Sequence, residues 1–204
     1  MRAFARPFPL QQLSAEARVL YAGFCVFMLF GVWTSAWLAH DDGFGTDGAD
    51  VVRYYRGDDA VVAAVPAVAA VVDSADGPAL TLPDDVVTEA VSGPLHVEKS
   101  ARQVMETFHF HAFSMPVVLL VVGHIFMMCA VAPRKKIAVL VAASLSTLLH
   151  LLLPVVVRFA GAGVAGAAAA LFVPTAVLML LTWTVMLARP LFELARRQPA
   201  AVSA

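Results

Sequence analysis

Four blocks of predominantly apolar residues divide the 204-residue chain, at 19–39, 108–132, 137–158 and 168–188. Each holds about 20 residues, the length at which an α-helix crosses a bilayer's hydrocarbon core. The pattern predicts an all-α membrane protein, a bundle of four transmembrane helices. Polar stretches fill the rest: a lead (1–18), a long loop (40–107), a basic turn (133–136), a glycine-rich turn (159–167) and a tail (189–204). In the lead, "SAEAR" at 14–18 reads as a helix start with Ser14 as N-cap. The long loop opens turn-rich ("HDDGFGTDGAD", 40–50), and its Ala/Val run at 60–72 is too short, and too interrupted by Pro66, to span. "VEKSARQVMET" (97–107) is helix-compatible and leads straight into the second span. Pro116, Pro154 and Pro174 fall inside spans, where neighbouring helices re-satisfy freed carbonyls, so local kinks are expected.

Composition agrees with this pattern: 60% of residues are hydrophobic and 14% charged, with a net charge of −1. No basic stripe suggests nucleic acid. The charges also orient the chain. Arg2, Arg6 and Arg18 precede the first span, Arg134, Lys135 and Lys136 join the second to the third, and Arg189, Arg196 and Arg197 follow the fourth. Thirteen of the fifteen acidic residues lie between Asp41 and Glu106. By the positive-inside rule both termini are cytoplasmic and the long loop is extracytoplasmic. The first span has a long charged lead and exceeds a signal peptide's usual hydrophobic region, so an anchor is expected despite "TSA" at 34–36. Cys25 and Cys129 lie in the spans without a CxxC or CxxCH pattern, which excludes covalent c-type haem attachment and zinc ribbons.

The histidines carry the candidate chemistry. His40 closes the first span, His109, His111 and His124 lie in the second, and His150 in the third. A histidine inside a membrane is costly unless paired, hydrated or ligated, which makes each a functional candidate. A lone one is more often hydrogen-bonded to a carbonyl; here three spans contribute. On an ideal helix His109 and His124 differ by about 60° and some 22 Å, the arrangement that lets one helix ligate two stacked haems, whereas His111 and His124 differ by about 140°. His40 is level with His109 and His111, an outer pair. His124 and His150 form an inner pair, offset in depth by about 7.5 Å. His150 is alternatively a partner of His109 or His111 at the outer site. Gly31, Gly123, Ser144 and Ser146 leave room for a flat ring, or simply for close helix packing.

The rival chemistry is copper or zinc held by "HFH", His40 and His96, with Met105, Met115, Met127 and Met128 as soft ligands. HxH on a helix points its side chains nearly opposite ways, which favours haem. In "RYYRG", Arg53, Tyr54, Tyr55 and Arg56 are candidate contacts to a haem propionate or quinone head group, or an interfacial aromatic anchor. Glu106 is a candidate proton acceptor, or the start of a helix. No nucleophile–base pair appears, so hydrolysis is not expected.

"VVRYYRGDD", then "ETFHFHAFSMPVVLLVVGHIFMM", a basic turn and two more spans resemble an uncharacterised family of small four-span bacterial membrane proteins. The resemblance implies a bacterial inner-membrane location and an uncleaved first span, and carries no catalytic residues over. The plan is also similar to membrane-anchor b-type cytochromes. The resulting expectation is an electron-transfer subunit rather than a stand-alone enzyme. It passes electrons between the quinone pool and an extracytoplasmic redox partner through one or two haem b groups. The alternatives are a non-catalytic accessory subunit of a larger respiratory complex, and a periplasm-facing copper- or zinc-handling protein.

Overall fold

Helix starts are written locally into the chain. Ser14 accepts from the Ala17 N–H at 3.4 Å. Ser100 and Gln103 form a reciprocal capping box, each side chain meeting the other's backbone N–H at 3.2 and 3.0 Å. Pro133 occupies the first turn of its helix, where its missing N–H removes nothing. The computed structural model describes residues 9–41, 48–57 and 97–196, and within them every regular element is helical. After a 3-10 turn at Leu10–Gln12 come α1 (Ala15–Asp41), α2 (Gly48–Arg56), α3 (Ala101–Met127), α4 (Pro133–Phe159) and α5 (Ala162–Ala195). The Ala/Val run at 60–72, His96 and most of the turn-rich stretch lie outside the described residues.

The four long helices are apolar enough to cross a membrane, with mean hydropathies between 1.8 and 2.3 over their best windows. Their bounds differ from the apolar blocks in informative ways. The second helix begins at Ala101, carrying 97–107 into the span as expected, but ends at Met127, not 132. Residues 128–132 make the turn that delivers Pro133, and Arg134–Lys136 are already helical. The glycine-rich turn contracts to Ala160–Gly161. Helices α3, α4 and α5 run through Pro116, Pro154 and Pro174.

Helix α5 is the hub: α1, α2, α3 and α4 all pack on it, whereas α1 and α3 touch each other little. At the basic-turn end Leu10, Cys25, Phe126, Cys129, Met186 and Leu187 close one core. Glu193, almost fully buried, accepts from the Ala130 N–H at 2.9 Å and pairs with Arg189 at 3.0 Å, tying α5 to the α3–α4 turn. Arg18 donates to the Leu194 carbonyl, bringing the start of α1 onto the end of α5.

A second core at the opposite end joins Val51 of α2 to Leu153 and Val157 of α4 and to Ala169 and Phe172 of α5. Arg56 donates to the carbonyls of Val157 (2.6 Å) and Ala160, satisfying the end of α4. Arg158 pairs with Glu98 at 2.6 Å and donates to the Lys99 carbonyl. Gly48 lets α2 sit on α5: a Cβ there would lie 3.0 Å from the Ala170 nitrogen. Backbone cannot yield as a side chain can. Gly48→Val is therefore expected to lift α2 from α5, costing about 1–3 kcal/mol. Trypsin cleavage at Arg53 and Arg56 in detergent reads this out; a rate equal to wild type would contradict the seating.

Candidate cofactor site

Helices α1 and α3 share a core at the basic-turn end but touch each other little, and a cleft lies between them. Helix α5 floors it, and its volume is about 670 Å³. From α1 it receives Met28, Gly31, Ser35, Ala39 and His40, and from α3 Ser114, Met115 and Val118. Small residues on the α1 wall are what make it wide. Tyr54 and Tyr55 of α2 stand at the same end as His40, and His150 reaches in from α4. Met28 and His40 are 12 residues apart, so the cleft runs about 18 Å along the helix. Its deep end is apolar and reaches Trp183, whose indole donates to Thr147 at 3.0 Å. The volume falls in the ordinary range of cofactor and ligand pockets.

His150 is the centre of this arrangement. Its ring lies over Phe172, centroids 4.6 Å apart and planes 32° from parallel. Its Nδ1 is buried and has no hydrogen-bond partner among the described residues. Buried polar atoms are normally satisfied, and an orphan asks for a ligand, a water or an ion. Tyr55 packs edge-on against the same Phe172 at 6.4 Å. Burial, with Tyr54 adding to it, pushes the Tyr55 phenol well above its ordinary range, so it stands there as a neutral hydroxyl.

A smaller cavity of about 220 Å³ adjoins the cleft between α2, α3 and α4. Tyr54, Tyr55, Met115, His150 and Phe172 are common to both. Its other polar residues are Lys99, Gln103, Thr107 and His111. His111 Nδ1 lies 2.8 Å from the Thr107 carbonyl.

The structure therefore brings together His40 and His150 at one cavity and His111 and His150 at the next. His109 is exposed with its ring against Phe113 at 5.0 Å, and lines neither. His124 is exposed and lines neither, so the inner His124–His150 pair is not assembled. Helix phase explains both results: with His111 facing α4, His109 and His124 lie about 160° and 140° away. Arg56 is committed to the α4 carbonyls, Arg53 lies on the exposed side of α2, and Glu106 pairs with Arg102 at 2.7 Å on the surface. Of the interfacial candidates, Tyr54 and Tyr55 reach the cavities. Among the described residues no three His, Cys, Asp or Glu side chains are grouped to hold a metal ion. The donors come as pairs.

Sequence reasoning passed over Gln103 and Thr107, which precede His111 at intervals of four and so share its face. Phe172 and Trp183 carried no signal beyond being aromatic.

A family of transmembrane helical domains matches residues 45–201, more than three-quarters of the chain. The chain belongs to the Aq_1264_TM family. The Aq_1264_TM match takes in α2 to α5 with His111 and His150, and begins after α1 and His40. No curated protein and no solved structure matches the chain.

Proposed function

We propose that this chain is an electron-transfer protein of the bacterial inner membrane. In this reading His40 and His150 would hold one haem b in the cleft between α1 and α3. The supporting observation is that two histidines from separate helices share one apolar cavity, one of them with an orphaned buried nitrogen. The donor set suits haem, which takes two imidazoles, better than a three-ligand copper or zinc site. Flat walls help too: Gly31 has open space where a Cβ would stand, and Ala39 and Ala176 are small.

When bound, the haem supplies one-electron chemistry. The chain's own residues do the rest. Phe172 fixes the plane of the His150 ring, and the apolar lower walls exclude water, which together tune a potential. Tyr54 and Tyr55 close the end nearest the surface. We place that end outside the cytoplasm, because the basic residues gather at the other, so both termini are cytoplasmic. The electrons pass between the quinone pool and an extracytoplasmic redox partner.

His40→Ala tests the pairing. Removing that imidazole is expected to shift the spectrum from low-spin to high-spin, with His150 still holding the haem, or to lose the haem. A spectrum identical to wild type would remove His40 as a ligand.

A further inference from the structure

We propose that the 220 Å³ cavity between α2, α3 and α4 binds the head group of a membrane quinol, with His111 accepting one of its hydroxyl protons in a hydrogen bond. The proton position on His111 is set by its neighbour. A carbonyl oxygen only accepts, so the 2.8 Å contact to Thr107 requires the proton of neutral His111 on Nδ1. Nε2 is then a bare acceptor on a residue that lines the cavity. His150 lines the same cavity through its ring, while its orphaned Nδ1 belongs to the haem reading. A bare imidazole nitrogen at His111 asks for a guest that brings an O–H group.

The same face of α3, nearer the helix start, supplies donors. The Gln103 carbonyl oxygen is occupied by the Ser100 N–H at 3.0 Å, so what its amide has left to offer is its NH₂. The Lys99 ammonium sits 4.5 Å above the Tyr54 ring at the cavity's rim. A ring with a hydroxyl at each end meets both demands, one oxygen donating to His111 and the other accepting from Gln103 or Lys99. Phe108, Tyr54 and Phe172 add aromatic surface for a flat guest.

Size sets the class further. A cavity of about 150 Å³ admits benzene, so 220 Å³ takes one substituted ring and little more. A long hydrocarbon tail stays outside. Val104, Phe108 and Leu151 give the cavity an apolar side between α3 and α4 along which such a tail leaves for the bilayer. A lipid phosphate would want more cationic groups than the lone Lys99, and phosphate has no ring to stack.

The biological purpose of this site rests on the electron-transfer reading, since the quinol would be the reductant; its geometry does not. The test is photolabelling of the whole chain in nanodiscs with an azido-benzoquinol prepared in its reduced form and kept under argon without added reductant, followed by peptide mapping. Label is expected on 97–115 and 149–156, competed by decyl-benzoquinol. The reduced probe should label several-fold more than the oxidised one, which lacks O–H donors. His111→Leu should lower labelling about tenfold, the scale of one lost hydrogen bond. His111→Gln, which keeps an acceptor, should recover most of it, while helicity and elution volume stay as in wild type. His40→Ala, which strikes the proposed haem ligand, should leave labelling unchanged. Label spread over lipid-facing residues, equal labelling by both redox forms, or an unaffected His111→Leu variant would each overturn the proposal, whatever the haem content.

Discussion

Replacing His150 by leucine is expected to empty the cleft of haem while leaving the bundle folded. His150 holds no partner through its buried Nδ1 among the described residues, so removing it strands no other polar group. Leucine keeps apolar contact with Phe172, which lies against the present ring. The stability change is therefore small. The ligand loss is not, because no other histidine that lines the cleft approaches from α4. Haem per chain should fall at least about tenfold, the scale on which disturbed ligand spheres lose affinity. Pyridine haemochrome assay alongside circular dichroism reads both quantities. Retained haem would exclude His150 as a ligand. Loss of helicity together with haem would show the residue to be structural.

The largest effect on stability is expected at the other end of the molecule. Glu193 is 3% exposed, and both its oxygens lie 2.9 Å from the Ala130 N–H while Arg189 pairs with one of them. Glu193→Ala leaves a backbone donor and a cation without their acceptor in an apolar setting and opens a cavity under the α3–α4 turn. Breaking a buried pair from one side costs about 3–5 kcal/mol; Arg189 is partly exposed and recovers some hydration, so about 3 kcal/mol is expected. Glu193→Gln keeps one acceptor for Ala130 and should lose roughly half as much. Unfolding in mixed detergent–denaturant measures the difference. Equal stability of all three forms would mean that the clasp does not hold the turn.

Much of the fold was legible because lipid leaves few options. A run of 20 apolar residues in a bilayer must be helical, and Ser14, Ser100 and Pro133 punctuate the starts. The hub position of α5 was not legible: its apolar pattern is nearly continuous around the helix, and nothing in periodicity distinguishes a central helix from a lipid-facing one. Alanines 165, 168 and 169 were the available hint, since small residues admit close neighbours. For the site, counting residues from the basic turn put His150 and His124 about 7.5 Å apart in depth. That offset already made the inner pair the weaker of the two, although the pair was still expected. What counting could not supply was the cleft between α1 and α3, or the placement of Tyr54 and Tyr55 on it. The second goes with the seating of α2 on α5 at Gly48, a contact more than a hundred residues apart along the chain.

The central claim is one haem b in the cleft between α1 and α3, held by His40 and His150, and a reduced-minus-oxidised absorbance spectrum of the purified chain tests it most directly, with haemochrome stoichiometry on the same sample. The account predicts a b-type signal at one haem per chain, unchanged in His124→Ala. A flat spectrum from folded wild-type protein, or loss of the signal in His124→Ala, would contradict it.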